Sequence, residues 1–285
     1  MACEHLRKIH TWPQAFVLGL NPDRFGKYLM VACGQCRWCR WMLTKEWAVR
    51  CCLEAETAGE AAFISLTYRD EDLPKNGSLV KRDLQNFMKR LRLYAEREYG
   101  VTNIRFFASG EYGEQHARPH YHVLIFGFDF RDGKFLKWKY RSGIGRYKLF
   151  RSDFLERCWK LGFSSYGEVT TASAAYVAGY IRKKVNGEAS AEHYGDRIPE
   201  FSLSSTVPGI GFDWYEQNKH WLWKEMSVRV GKWSIDPPRY FFKLLRKEDP
   251  AAYEAAKERL TALRAERRIA HICLEESDEV SPFVG

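Results

Sequence analysis

Residues 120–128 read His-Tyr-His-Val-Leu-Ile-Phe-Gly-Phe, and this stretch decides the fold. Side chains alternate between the two faces of a strand, so His120 and His122 point the same way. Leu124 and Phe126 continue that face, while the residues between them make the other face apolar as well. Apolar residues on both faces are typical of a central strand that is covered on both sides. The stretch therefore predicts a buried central strand with two imidazoles at its start.

Further strands and helices lie on either side of this strand in the sequence. The predicted strands are 61–68, 104–109 and 163–169, and the predicted helices are 40–58, 79–99, 152–161 and 172–186. A basic loop at 129–151 allows a hairpin, and a basic helical stretch covers 238–270. Short apolar runs between turn residues predict the strands, and apolar spacings of three and four predict the helices. This mixed order favours an α+β fold, a central antiparallel sheet with flanking helices.

The same reading divides the chain into three segments. Residues 1–60 form a small Cys-rich N-terminal element followed by a helix packed on the core. Residues 61–190 form the core itself, and residues 191–285 form a C-terminal extension to which the sequence assigns no role.

Composition narrows the class of protein. The chain has 285 residues, of which 45% are hydrophobic, and this is enough to build a core and excludes a disordered chain. A mean hydropathy of −0.46 and the lack of a long apolar run argue against a membrane span, and the N-terminus lacks a signal-peptide pattern. We therefore expect an intracellular protein. The net charge of +9 favours a polyanionic partner only mildly.

Three closely spaced cysteines predict a metal site near the N-terminus. Cys33, Cys36 and Cys39 follow one another at Cys-x2-Cys spacing, which in an intracellular chain favours metal ligation over disulfides. Zinc prefers four such ligands in a tetrahedron. The candidates for the fourth ligand are Cys3 first, then His5 and His10. An iron–sulfur cluster and three reduced thiols on a surface turn are the alternatives.

A second metal site is expected at the histidine pair. Two imidazoles on one face of a strand can hold one divalent cation. If strand 104–109 pairs with the central strand, Glu111 falls near the histidines, and Glu114 is the alternate carboxylate. Two nitrogens and one oxygen leave open coordination positions, which suits a catalytic Mg²⁺ or Mn²⁺.

The helix predicted at 172–186 carries two tyrosines on an unusual face. Tyr176, Tyr180 and Lys183 lie within about 60° of one another at the angular step of a helix. The apolar stripe on the other side consists of Ala174, Val177, Ala178, Ile181 and Val185. A tyrosine is a weak nucleophile near its usual pKa of about 10, but a metal that polarises a phosphodiester and a nearby lysine would make it effective.

These motifs together resemble the HUH family of single-strand endonucleases. The matching stretches, in the family's order, are Ile64-Ser65-Leu66-Thr67, Pro119-His120-Tyr121-His122 and Tyr176-x3-Tyr180-x2-Lys183. The doubled tyrosine is similar to the rolling-circle replication initiators of microviruses. Three further stretches resemble the gokushovirus type of that phage group: Cys33-Gly34-Gln35-Cys36, Gly110-Glu111-Tyr112-Gly113-Glu114 and Arg118-Pro119-His120-Tyr121-His122.

The resemblance implies an HUH-type fold with a ferredoxin- or RRM-like core and a specific activity. It implies metal-dependent nicking of viral single-stranded DNA at the origin through a 5′-phosphotyrosine, followed by rolling-circle replication and strand rejoining. Tyr176 and Tyr180 would be the nucleophiles and Lys183 their cationic helper. The implied partners are single-stranded origin DNA, double-stranded replicative DNA, and a host helicase and polymerase in the bacterial cytoplasm. The candidate DNA-binding residues are Lys81, Arg82, Arg118 and Lys184.

Two other functions compete with this one. The first is a non-catalytic, zinc-dependent nucleic-acid-binding protein, supported by the cysteines, the basic stretches and ten tryptophans. The second is a metal oxidoreductase that uses His120, His122 and Glu111 as a facial triad. Neither alternative requires two tyrosines and a lysine on one face, so we favour the endonuclease.

Overall fold

The computed structural model of the chain describes a large part of the sequence, in seven stretches. They are residues 3, 5–10, 28–113, 116–141, 145–180, 183–185 and 189–276. The chain divides into two compact units, Met1–Ile210 and Gly211–Gly285. The predicted division into three segments stays a prediction. The strand at Phe201–Ser204, which lies beyond the predicted core boundary at residue 190, belongs to the main sheet of the first unit.

Strands and helices alternate through the first unit. Its strands are β1 (Arg7–His10), β2 (Tyr28–Val31), β3 (Ala61–Tyr68), β4 (Arg105–Tyr112), β5 (Pro119–Phe126), β6 (Lys134–Arg141), β7 (Gly145–Arg151), β8 (Gly162–Glu168) and β9 (Phe201–Ser204). Its helices are α1 (Arg37–Ala58), α2 (Lys81–Tyr99), α3 (Asp153–Cys158), α4 (Thr171–Gly179) and α5 (Ala189–Tyr194).

A seven-stranded antiparallel sheet organises this unit. The strand order is β6-β7-β8-β3-β5-β4-β9, and each neighbouring pair runs antiparallel. The strand that carries the histidine pair, β5, lies between β3 and β4. The predicted α+β fold with a central antiparallel sheet and flanking helices is confirmed, and so is the central position of the histidine strand.

The two faces of the sheet are covered by different helices. Alternate residues of β3 and β5, such as Ile64 and Val123, pack in one core cluster with α2 and α3. The residues between them, such as Phe63 and Leu124, pack in a second cluster with α1 and α4. The histidines share the face of the second cluster, because they alternate in step with Leu124. The sheet is therefore apolar on both faces, as a central strand requires.

Helix α4 is shorter than the sequence predicts. The periodicity predicts a helix over 172–186, but α4 ends at Gly179. Beyond it, tertiary hydrogen bonds replace helical ones: Arg40 donates to the Lys184 carbonyl at 2.6 Å, and the Val185 amide donates to the Tyr194 hydroxyl at 2.8 Å. The prediction of a continuous helix to residue 186 is wrong, because tertiary partners outweigh local helical preference here.

Other boundaries also differ from the prediction. Strand β4 continues to Tyr112, three residues beyond its predicted end, since its pairing with β5 continues that far. The basic loop at 129–151 forms the hairpin β6–β7. In the second unit, the basic stretch at 238–270 is two helices that divide at Asp249.

The second unit contains four elements of regular structure around one short hairpin among its described residues. They are α6 (Phe212–Glu225), β10 (Val228–Val230), β11 (Trp233–Ile235), α7 (Arg239–Glu248) and α8 (Pro250–Glu276). Trp214 of α6 stacks on Phe241 of α7, with ring centroids 5.8 Å apart. In the described parts of both units, no helix combines the length and apolarity needed to cross a membrane.

A buried hydroxyl network fixes the position of β5 against the α2 side of the sheet. Tyr121 lies between the two histidines and points to the opposite face, where it is fully buried. Its hydroxyl accepts from the Val80 amide at 2.9 Å and donates to the Val80 carbonyl at 3.0 Å. The Tyr68 hydroxyl lies 2.7 Å from it and donates to Asp83. Burial raises the pKa of Tyr121 to about 12, so this hydroxyl stays protonated at neutral pH.

We expect Tyr121→Phe to lower the free energy of unfolding by about 1–3 kcal/mol, because Val80 and Tyr68 lose a buried partner. Urea unfolding followed by circular dichroism measures this change. Tyr140→Phe is the control, since Tyr140 is 75% exposed, and we expect a change within about 0.5 kcal/mol. Equal stability of the two variants would contradict a structural role for the Tyr121 hydroxyl.

Candidate metal centres and tyrosine site

Strand register brings Glu111 to the histidine pair. Strands β4 and β5 pair so that Glu111 faces His120 directly, and Ser109 faces His122. One carboxylate oxygen of Glu111, Oε1, lies 2.5 Å from His120 Nε2 and 3.0 Å from His122 Nε2. Glu111 and His122 are buried, and His120 is partly exposed. The pairing predicted between these strands is confirmed, and it assembles two imidazoles and a carboxylate at one point.

The outer nitrogens of both rings are held by hydrogen bonds. His120 Nδ1 lies 3.0 Å from the Arg118 carbonyl, and a carbonyl oxygen can only accept, so this nitrogen carries a proton. His122 Nδ1 lies 3.1 Å from the Ser65 hydroxyl. These bonds turn both Nε2 atoms toward Glu111. Backing of this kind is the usual way in which proteins orient metal-ligating histidines.

The electrostatics of the cluster favour a bound cation. Burial raises the pKa of Glu111, but hydrogen bonds and charge from His120 and His122 more than offset this and lower it to about 2. Glu111 is thus an anion throughout the physiological pH range. The ligand atoms of the three residues lie within 4.8 Å of one another. An anionic oxygen and two imidazole nitrogens at this spacing fit a divalent cation with open coordination positions.

The two tyrosines lie beside this cluster in different environments. Tyr176 is half-buried, and its hydroxyl lies 3.3 Å from His122 Nε2. The ring of Tyr180 stacks on the His122 ring at a centroid distance of 5.0 Å and is buried. Among the described residues, the Tyr180 hydroxyl has no hydrogen-bond partner. The structure therefore brings both tyrosines to the histidines but places only the Tyr176 hydroxyl at the ligand atoms.

Lys183 also lies at the cluster, although it is not part of helix α4. Its ammonium group lies 3.4 Å from Glu111 Oε2 and 5.0 Å from the centre of the Tyr180 ring. The turn that follows α4 places it there, with the Lys183 amide donating to the Tyr180 carbonyl at 3.0 Å. A positive charge thus faces both the carboxylate and one of the tyrosines.

Other predicted site residues have different surroundings. The alternate carboxylate, Glu114, lies outside the described residues. Arg118 pairs with Asp70 at 2.7 Å and donates to the Tyr68 carbonyl. Lys81 and Arg82 are exposed on the first turn of α2, and Lys184 is half-buried. The DNA-binding role of these four basic residues stays a prediction.

The N-terminal hairpin brings a fourth cysteine to the Cys33–Cys39 run. Strands β1 and β2 pair with Arg7 opposite Val31, so the residues before β1 lie beside those after β2. Cys3 Sγ accepts from the Cys33 amide at 3.3 Å and lies 3.8 Å from Cys36 Sγ. The sulfur atoms of Cys33 and Cys39 lie 3.9 Å apart. Cys3, the first of the three predicted fourth ligands, therefore joins the cluster.

The geometry of the four sulfur atoms fits tetrahedral metal binding. All four lie within 4.8 Å of one another. A zinc–sulfur bond of about 2.3 Å places the corners of a regular tetrahedron about 3.8 Å apart, close to the two distances observed. Hydrogen bonds from the Cys36 and Gln35 amides lower the pKa of Cys33 to about 6, which favours the thiolate. The site is suited to zinc, and an iron–sulfur cluster remains the alternative.

Sequence reasoning missed one residue of the histidine site. Ser65 lies opposite His122 in the pairing of β3 with β5 and bonds to its ring. Its signal is visible in the sequence Ala-Ala-Phe-Ile-Ser-Leu-Thr-Tyr at 61–68, where Ser65 and Thr67 are the only hydroxyl-bearing aliphatic residues of an otherwise apolar strand. Only the pairing register shows that they face the histidines.

Comparisons with known proteins now identify the family. A family model of replication-associated proteins, named after ORF2, matches residues 61–185, which include the ligand cluster and both tyrosines. The chain is 32% identical over 234 residues to replication-associated protein ORF2 of Spiroplasma virus 4, covering 76% of this chain and 68% of that protein. It is 33% identical over 222 residues to replication-associated protein VP4 of Bdellovibrio phage phiMH2K, with the same coverage of each chain.

A third relative extends the same group. Replication-associated protein ORF4 of Chlamydia phage 1 is 30% identical over 247 residues, covering 85% of this chain and 59% of that protein. No solved structure matches the chain. The chain belongs to this family of phage replication-associated proteins, and the resemblance to microvirus rolling-circle initiators is confirmed.

We expect the purified protein to contain about one zinc per chain, held by the four cysteines of the N-terminal cluster. Cys36→Ser and Cys3→Ser should each lose the metal, measured by elemental analysis. Cys52→Ser is the matched control on the same helix as Cys39 and should retain it, because burial raises the pKa of Cys52 to about 11 and it lies outside the cluster. An iron chromophore, or zinc retained in Cys3→Ser, would contradict this assignment.

We expect Ser65→Ala to weaken Mn²⁺ binding by about 10- to 100-fold, because His122 loses the hydrogen bond that orients its ring. Electron paramagnetic resonance of free Mn²⁺ measures the affinity. Ser165→Ala, on the neighbouring strand opposite Ser65, is the control and should bind Mn²⁺ as the wild type does. The idea fails if both serine variants bind Mn²⁺ equally well.

Proposed function

We propose that this replication protein is a metal-dependent, site-specific DNA endonuclease and strand transferase of the HUH type. It nicks viral single-stranded DNA at the origin through a 5′-phosphotyrosine and later rejoins the strand. The observation that carries the proposal is the 3.3 Å distance between the Tyr176 hydroxyl and His122 Nε2, a nitrogen that also faces Glu111. A nucleophile and a set of cation ligands thus meet at one point.

The chemistry of the step follows from these residues. Glu111, His120 and His122 would hold Mg²⁺ or Mn²⁺, which when bound withdraws charge from a phosphate oxygen. The Tyr176 oxygen forms a bond to phosphorus, and the bond from phosphorus to O3′ breaks. The phenol loses its proton and O3′ gains one, so no co-reactant is consumed. Lys183 stabilises the negative charge that develops during the transfer.

The surroundings of the two tyrosines suggest an order of use. The Tyr176 hydroxyl already lies at the ligand atoms, whereas the Tyr180 hydroxyl is buried. We infer that Tyr176 makes the first cut and Tyr180 the later transfer, after its side chain has moved. The first cut leaves a 3′-OH that a host polymerase can extend, while the protein stays attached to the 5′ end.

The relatives support the biological setting. Their printed names assign them to phage replication, so we place the reaction in the cytoplasm of a bacterial host. The substrates are origin DNA in its single-stranded form and in the double-stranded replicative form. These 285 residues contain no Gly-x4-Gly-Lys-Ser/Thr phosphate loop, so we assign duplex unwinding to a host helicase.

The test uses overlapping single-stranded fragments of the viral strand, incubated with the protein and Mn²⁺ and separated on a denaturing gel. With a 3′ label, we expect a DNA band that carries the protein; with a 5′ label, a shorter protein-free product that a polymerase can extend. Tyr176→Phe should abolish the adduct, and Tyr180→Phe should form it but fail to rejoin strands.

Two controls accompany this test. Tyr94→Phe, on α2 at the other face of the sheet, should form the adduct at the wild-type rate. His120→Ala should abolish cleavage while largely keeping DNA binding. Adduct formation that survives in the double variant Tyr176→Phe/Tyr180→Phe would show that the nucleophile is wrong. DNA binding without any adduct in the wild type would support a non-catalytic nucleic-acid-binding protein instead.

A further inference from the structure

Phe163 is a large aromatic side chain that the fold leaves open to solvent. It lies at the start of β8 and is 71% exposed, whereas Tyr166 on the same strand is buried. Single exposed apolar residues are common, so exposure alone indicates nothing. The position of Phe163 relative to the histidines is what distinguishes it.

Strand register puts Phe163 in one row with the ligand cluster. Phe163 pairs with Thr67, Thr67 pairs with His120, and His120 pairs with Glu111. Directly paired residues point to the same face of a sheet. Since neighbouring strands lie about 4.8 Å apart, Phe163 stands about 10 Å from His120 on the face that carries the site.

A cavity joins this phenyl ring to the tyrosine site. Its volume is about 260 Å³, and one side is formed by Phe163, Thr67, His122 and Tyr176. Lys137 and Lys139 of the hairpin β6–β7 line the opposite side. They are separated by one residue on β6 and therefore share a face of the hairpin. Among the described residues that line this cavity there is no carboxylate.

The combination of groups indicates the chemical class of the occupant. An open aromatic ring stacks on the flat face of an unpaired base, and lysines neutralise phosphates. A base inside a duplex is already stacked on its neighbours, so the ring favours single-stranded over double-stranded DNA. The cavity also reaches Tyr176, so a strand bound there continues directly into the proposed cleavage site.

We propose that single-stranded DNA next to the scissile phosphate lies in this cavity, with one base stacked on Phe163 and adjacent phosphates held by Lys137 and Lys139. The inference rests on the proposed endonuclease function and names the contacts that hold its substrate. Phe163 supplies sequence-tolerant affinity, since every base has a face that can stack.

The first experiment measures binding without cleavage. Fluorescence anisotropy with a fluorescein-labelled oligothymidylate of about 20 nucleotides in EDTA gives the affinity of each variant. Phe163→Ala should bind about 5- to 150-fold more weakly, the range that loss of one stacked base produces. Phe163→Trp, which keeps an aromatic ring, should stay within about threefold of the wild type. Leu93→Ala, another exposed apolar residue but on α2, should not change the affinity.

A second probe separates stacking from charge. On an abasic deoxyribose-phosphate strand of the same length, Phe163→Ala should bind as the wild type does, because no base is present. Lys137→Ala/Lys139→Ala should weaken binding to both probes and reduce the salt slope by about 1.4, since each phosphate contact on a single strand contributes about 0.7. Equal affinity of Phe163→Ala and wild type for oligothymidylate would overturn the stacking contact, and so would an equal loss on both probes.

The outcomes for this inference and for the proposed function are distinguishable. The anisotropy measurements contain no divalent ion, so they do not depend on nicking. If the wild type forms no covalent adduct, the endonuclease proposal fails whatever the binding result. If the adduct forms but Phe163→Ala binds oligothymidylate normally, only the present inference fails.

Discussion

The register between β4 and β5 is the constraint on which the rest of the site depends. Placing Glu111 opposite His120 brings a carboxylate oxygen to both imidazole rings. A slip of one residue would turn the histidines toward the α2 core and leave them without a carboxylate. The opposite face fixes the same register, because Tyr121, between the histidines, bonds to both backbone groups of Val80. Stability on one face thus determines ligand geometry on the other.

Much of this arrangement can be predicted from short-range patterns. Apolar residues on both faces of 120–128 place β5 inside the sheet, and alternation places the histidines together. Antiparallel pairing then predicts Glu111, because the end of one strand meets the start of its neighbour. The predicted strand 61–68 has the bounds that the structure has, since an apolar run between turn signals determines it locally. These features need only local periodicity and one pairing assumption.

What escapes prediction depends on contacts between distant parts of the chain. The sequence predicts Lys183 at the site from a helix that continues to residue 186, yet α4 ends at Gly179 and a turn delivers the lysine instead. The helix ends because Arg40 and Tyr194 bind the backbone that follows it, and neither residue is near in sequence. Ser65 and Phe163 acquire their positions only through strand register, which one sequence without an assumed pairing does not supply.

The end of α4 also accounts for the unequal positions of the two tyrosines. Tyr176 lies within the helix and reaches His122, whereas Tyr180 follows its last residue, stacked on the same ring with a buried hydroxyl. A buried hydroxyl without a partner costs about 1–3 kcal/mol. Movement of Tyr180 toward the ligand atoms would recover that cost. Under the proposed two-step chemistry, one tyrosine must wait while the other holds DNA, and a stacked side chain that is cheap to release suits that role.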